Sequence, residues 1–312
     1  MPVRTVLIPS LVVVLAVVLL WWLLIGARAS HTAAPPPQPL NPPTAPLRVY
    51  HLGHSLVGRD MPAMLAQLAG AGHGHESQLG WGAALRDHWD KGRAINGFDT
   101  ENAHDRFRPA KEALQSGDYD AVVLTEMVEL RDAIRYFDSP RYLARWAALA
   151  HKARPDTRVY LYETWHKLDD PDGWLTRLDA DLADLWEGKL LLPAMAETGA
   201  QIHVIPAGQV MAAFVRRVDA AGGIGGITTR EDLFARDADG GTDPIHLNDA
   251  GAYLVALTHF AVLYHRSPVG LPYQLRRADG NPADAVSPEA AQVMQETVWA
   301  VVTAYPRTGV SQ

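Results

Sequence analysis

RVYHLGHSLVGRDMPAMLAQLAGA, residues 48–71, sets out the organisation of the chain in one stretch. RVYHL (48–52) reads as a β-strand, and 60–71 as a helix with Pro62 in its first turn and Gly70 or Gly72 near its end. The glycine-flanked GHSL lies between them. The same alternation recurs downstream. HESQLG (75–80), AVVL (121–124, after the turn-like SGDYD), RVYLYE (158–163) and QIHVIP (201–206) read as four further strands. Helical patterns cover 139–152, 174–187, 190–199, 209–219, 249–264 and 288–304. Short apolar strands alternating with longer helices predict an α/β fold, a parallel sheet covered by helices. The Gly- and Asp-rich stretch 221–243 reads as an irregular surface loop.

The chain has 312 residues, of which 48% are hydrophobic and 20% charged, enough to bury a full core in one domain over 47–312. A formal net charge of -7 with no basic stripe argues against a nucleic-acid partner. There is no cysteine, so disulfides, thiolate zinc sites and cysteine nucleophiles are excluded. Residues 1–29 hold Arg4 and then an apolar run over 6–26, long enough to span a bilayer as a helix. The positive-inside rule then places the body beyond the cytoplasm, facing the periplasm or cell exterior, with Trp21 and Trp22 in the interface. Ala27-Arg28-Ala29 has the form of a signal-peptidase site, and cleavage after Ala29 would give a secreted protein. The proline-rich residues 30–46 read as an extended tether.

Ligands of a parallel α/β sheet gather at the carboxyl ends of its strands. Ser55 lies just past the first strand, GWGAAL (80–85) past the second and LTEMVEL (124–130) past the third. DPIHLND (243–249) is expected in a loop before a closing helix. A serine needs an adjacent base, and the base an orienting carboxylate. Asp243 and His246, three residues apart, supply both, leaving the second imidazole nitrogen to face Ser55. The alternative reading of DPIHLND is an Asp N-cap with a histidine facing solvent. Backbone N–H groups at Ser55 and Gly82 are candidates for an oxyanion hole. GHSLVG is one residue too long for the G-x-S-x-G elbow of α/β-hydrolases.

GHSL and DPIHLND, followed by Ala250 and Gly251, together resemble the first and last blocks of the SGNH, or GDSL-like, serine hydrolase superfamily, with His54 in place of the usual Asp. The resemblance spans about 48–264. It implies a three-layer α/β/α, flavodoxin-like fold, with Ser55 as nucleophile, His246 as base, Asp243 as its partner and Gly82 as oxyanion donor; Gly80 competes for that last role. The family's third block, Gly-x-Asn, is replaced here by LTEMVEL. Three readings follow: Thr125 donates to the oxyanion, Glu126 is kept neutral by burial and donates, or Glu126 binds a substrate hydroxyl.

The other polar and aromatic clusters carry less. His51, His54, His73 and His75 form no closed metal-ligand pattern, and DADGG (237–241) lacks the later Glu of a calcium loop. No metal or cofactor is expected. Trp81, Trp89, Trp165 and Trp174 lie near loops that would rim a site; Trp81 and Trp165, with His54, are the candidate substrate contacts, and Glu163 and His166 are candidate polar contacts. The expected activity is a serine esterase acting on acyl, chiefly acetyl, esters of an extracytoplasmic glycan or on a small ester. The same residues would serve an O-acetyltransferase, and the altered third block admits a non-catalytic glycan-binding or assembly protein.

Overall fold

The computed structural model describes residues 38–311. In chain order these form β1 (Arg48–His54), α1 (Asp60–Ala69), β2 (Gly74–Gly80), α2 (Leu85–Trp89), α3 (Phe98–Glu101), α4 (Ala110–Ser116), β3 (Ala121–Leu124), α5 (Leu130–Tyr136), α6 (Ser139–Ala153) and β4 (Arg158–Glu163). Then follow α7 (Trp174–Asp181), α8 (Leu192–Thr198), β5 (Ile202–Pro206), α9 (Ala207–Ala221), β6 (Phe234–Arg236), β7 (Thr242–Leu247), α10 (Asp249–Tyr264) and α11 (Pro288–Ala304). Strands β1 to β5 make one parallel sheet in the order β2-β1-β3-β4-β5, a flavodoxin-like arrangement.

Side chains alternate along each strand between two apolar layers. Val49, Val123, Tyr160 and Tyr162 face the layer built with α1, α9, α10 and α11, whereas Tyr50, Leu52, Val122 and Leu161 face the layer built with α4, α6 and α8. This is the parallel sheet covered by helices that the alternation of patterns predicts, and the three-layer α/β/α architecture that the resemblance implies. The order reverses direction between β1 and β3, so the loops after these two strands diverge and leave a crevice at their carboxyl ends. Ser55 is the first residue beyond β1.

Three expectations are corrected. The stretch 221–243 is not wholly irregular: β6 and β7 pair antiparallel across it, and DPIHL lies on β7 rather than in a loop. The DADGG segment is the hairpin turn, held by the Asp237 carboxylate accepting from the Asp239 and Gly241 N–H groups. The two helices expected over 174–199 are one continuous rod, in which a π-helical segment (Leu182–Leu191) joins α7 to α8 and carries Gly188 without a break.

The membrane or signal segment expected over 1–29 and the start of the tether lie outside the described residues. Among the described residues no helix is long and apolar enough to cross a membrane. The end of the proline-rich stretch is docked on the domain: Leu40 N donates to Gly309 O at 2.8 Å, and Arg158 Nη2 to Asn41 O at 2.7 Å.

Candidate active site

His54 ends β1 and stays buried, its Nε2 2.9 Å from the Glu126 carbonyl oxygen while its Nδ1 accepts from Leu56 N at 3.3 Å. This fixes the tautomer, with Nε2 as donor. Burial, against the opposing bond to Glu126, pushes its pKa down to about 4, so the ring is neutral at pH 7. His54 thereby ties the β1 loop to the β3 loop and sets the turn that presents Ser55. Tyr162 supports the same turn by donating its hydroxyl to Leu56 O at 3.1 Å. Gly53 must be glycine, because a Cβ there would collide with the Thr125 methyl group.

Across the crevice, His246 Nε2 stands 3.0 Å from Ser55 Oγ and His246 Nδ1 stands 2.9 Å from Asp243 Oδ2. The carboxylate is held in turn by its own strand, with Oδ1 accepting from Ile245 N and His246 N, both at 2.8 Å. Burial pushes the Asp243 carboxyl up, but the His246 and Ile245 N–H groups and the imidazole outweigh it and hold the pKa below the ordinary value. Asp243 is therefore ionised and able to orient the ring and stabilise an imidazolium.

Strand β7 is held from the β4 side by Trp165 Nε1 donating to Ile245 O at 2.8 Å and Leu168 N donating to Pro244 O at 2.8 Å. The cap of α10 is Asn248, which accepts from Gly251 N, rather than an Asp, and His246 of the same segment turns toward Ser55. A Cβ on Gly251 would strike the Leu233 carbonyl oxygen, which is why α10 can begin so close to the hairpin only with glycine there.

Ser55 and His246 open on a cavity of about 490 Å³ walled by Trp81, Gly82, Val128, Lys167 and Ile245. Gly82 has φ +57°, the left-handed region that favours glycine. Among the described residues neither the Ser55 nor the Gly82 N–H donates to a protein acceptor. Gly80, the competing candidate, ends β2 in close contact with Ile95 and lies outside this lining.

The third-block residues are committed elsewhere. Thr125 is fully buried and its hydroxyl donates to Tyr162 O at 2.7 Å, so it is not an oxyanion donor. Glu126 is also fully buried; its Oε1 accepts from Met127 N at 2.8 Å and Leu85 N at 3.2 Å, which caps α2. Burial pushes its carboxyl up to about 7 against the pull of these N–H groups and of Ser139. Its place is beneath the crevice, and neither residue lines the cavity.

The tryptophans divide by exposure. Trp81 is 52% exposed, rests on Gly97 and donates Nε1 to Glu101 at 2.7 Å, so it stands on the rim. Trp165 is 1% exposed, lines the crevice that holds Ser55 and His246, and braces Ile245 through its Nε1. Trp89 packs edge-on against Trp146, and Trp174 donates to His166 O within the core; neither rims the site. Glu163 and His166 are no substrate contacts either. Glu163 is buried, accepts from Gln209 N and Nε2, and burial pushes it up to about 8. His166 is buried 3.2 Å from Asp181. Sequence reasoning missed Lys167, Val128 and Ile245, whose residue types carry no motif.

The histidines 51, 54, 73 and 75 do not assemble as ligands. Among the described residues one trio, Glu129, His166 and Asp170, brings donor atoms within 4.8 Å of one another. The buried Arg177 guanidinium already holds Glu129 and Asp170 at 2.7–2.9 Å, so a cation there would meet a fixed positive charge.

No protein-family model matches the chain, and no curated protein matches it. Among solved structures, it is similar to a DUF4886 family protein from Bacteroides uniformis, at 15% identity and TM-score 0.55 over 84% of this chain and 96% of that one. It is also similar to a candidate GDSL-like lipase from Parabacteroides merdae, at 12% identity and TM-score 0.42 over 73% of this chain and 99% of that one. The first likeness extends over nearly the whole of its partner and shows that the α/β fold is shared.

Proposed function

We propose that the protein is a serine ester hydrolase, a distant member of the SGNH, or GDSL-like, group. Ser55 Oγ attacks the ester carbonyl carbon as His246 Nε2 takes its proton, and the carbonyl electron pair moves onto oxygen. The Ser55 and Gly82 N–H groups, uncommitted to any protein acceptor among the described residues, hold that oxyanion. Collapse expels the alkoxide, which leaves with the proton from His246. Water then attacks the acyl-Ser55 ester by the same route in reverse, releasing the acid.

The observation that carries the reading is the unbroken relay from Ser55 through His246 to Asp243, with links of 3.0 and 2.9 Å, opening on a cavity. The apolar part of the cavity wall, Trp81, Val128 and Ile245, suits an acyl chain. The location beyond the cytoplasm expected from the N-terminal segment is what favours esters of an extracytoplasmic glycan, acetyl esters first, as the substrate class.

The test is treatment of the full chain with a fluorophosphonate probe and with an aryl acetate, beside Ser55→Ala. Covalent labelling and turnover that both disappear in the variant support the esterase. Absence of labelling, or turnover indifferent to Ser55, rejects it in favour of a glycan-binding or assembly protein.

A further inference from the structure

A second cavity, of about 590 Å³, lies beyond Gly58, within the size range of small-molecule sites, about 300–1,000 Å³. It shares Gly58, Arg59 and Asp60 with the crevice that contains Ser55 and His246, so the two are continuous. Its lining is rich in charge, and most of that charge is already engaged. Asp60 accepts from Ala278 N, Asp279 from Asn281 N and Nδ2, and Arg277 is paired with Asp249 and Asp284.

What remains uncommitted is mainly donor. Arg59 and Arg106 make no ion pair or side-chain hydrogen bond among the described residues, and both are exposed. Ser77, 4% exposed on the cavity wall, makes no side-chain hydrogen bond there either. One uncommitted carboxylate, Asp105, stands against the two guanidiniums. Apart from Pro62 and Ala278 the lining offers little to an apolar acyl chain. A ligand rich in acceptor oxygens finds partners there, because guanidinium groups bind carboxylate and phosphate through paired N–H donors.

We infer that this cavity holds the alcohol portion of the ester substrate and that this portion is a hydroxylated group carrying a carboxylate or phosphate. The inference rests on the esterase reading of Ser55 for its place in the reaction, though not for the binding itself. Arg59 and Arg106 clasp the anionic oxygens, Ser77 and Asp105 take hydroxyls, and the ester carbonyl is left over Ser55. The acyl group then points to the Trp81 side.

The experiment is calorimetric titration of the full chain carrying Ser55→Ala with three oligosaccharides of equal length: neutral, uronate-bearing and phosphorylated. At least one anionic ligand should bind about tenfold more tightly than the neutral one, as a charge-assisted contact supplies. That preference should collapse to near unity when Arg59→Gln and Arg106→Gln are added. It should persist with Arg216→Gln, an exposed arginine paired with Asp179 on the surface of α9. Which anionic ligand binds identifies the group, carboxylate or phosphate. Equal affinity for all three, or a preference that survives the double substitution, overturns the inference. Both guanidiniums are exposed, so unchanged thermal unfolding is expected and is measured alongside. Binding to Ser55→Ala needs no turnover, so failure here is distinct from failure of fluorophosphonate labelling.

Discussion

The loops after β1 and after β3 end at the same edge of the sheet and are joined by His54, yet they dispose of their polar groups in opposite ways. Beyond β1, Ser55 keeps its N–H uncommitted and its hydroxyl against His246. Beyond β3, the Thr125 hydroxyl is spent on Tyr162 O and the Glu126 carboxyl on the N–H groups of Leu85 and Met127. The Thr125 hydroxyl and Glu126 Oε1 are thus spent on the floor, while Glu126 Oε2 is buried without a hydrogen-bond partner among the described residues and does not line the cavity. Hydrogen-bonding capacity at this edge is therefore left open on the β1 side, where the proposed nucleophile lies. Glu126 accordingly reads as the post under α2, not as a substitute donor.

The comparison breaks most sharply at the open side. Ser55→Ala and His246→Ala are each expected to lower aryl acetate turnover by about 10³-fold or more, with the double variant little worse than either, since the two act as a unit. Additive losses in steady-state kinetics would show that they do not. A smaller effect comes from the brace. Trp165→Phe removes the bond to Ile245 O and should lower kcat by about tenfold with little change in KM, because it loosens the strand that carries His246. A change confined to KM would make Trp165 a substrate contact instead.

The committed side is read by stability. Burial raises Glu126 from an ordinary 4.5 to about 7, so the fold favours its neutral form. Stability from this group is complete below about pH 4.5 and is lost as pH rises through about 7, by up to about 3 kcal/mol at pH 8. Glu126→Gln keeps an acceptor for Leu85 and Met127 and should flatten that decline, seen as a higher unfolding temperature than wild type at pH 8 and a smaller gain at pH 5. Aryl acetate turnover should stay within about threefold; a loss of 100-fold would return Glu126 to the oxyanion. The smallest effect is expected at the rim, where Trp81→Ala should raise KM about threefold by removing one exposed aromatic face.

Strands β1, β3, β4 and β5 were legible as short runs rich in apolar residues, whereas the polar edge strand β2, GHESQLG, was legible mainly from its place between two helical patterns. Ser55, His246 and Asp243 were legible because GHSL and DPIHLND each bring reactive groups together over a few residues. The hairpin was not. DADGG and Asp243-Pro244 look like loop chemistry, and Pro244 is tolerated on β7 because that strand pairs on one side only, with β6. Trp81 and Trp165 were equally plausible from sequence, since nothing in the residue type says which indole finds a carbonyl inside and which stays 52% exposed. The fate of Thr125 was hidden for the same reason, its partner Tyr162 lying 37 positions away.

The hairpin that carries DPIHL has a consequence for how the site comes into being. Asp243 and His246 are three positions apart and meet through contacts within one strand, so their pairing is a local event available early in folding. Ser55 and His246 are separated by 191 positions, and their meeting awaits closure of nearly the whole domain, a step that long-range separation slows. His246 is thus oriented within its own strand, as a prefabricated part, and meets Ser55 only when a loop of 191 positions closes.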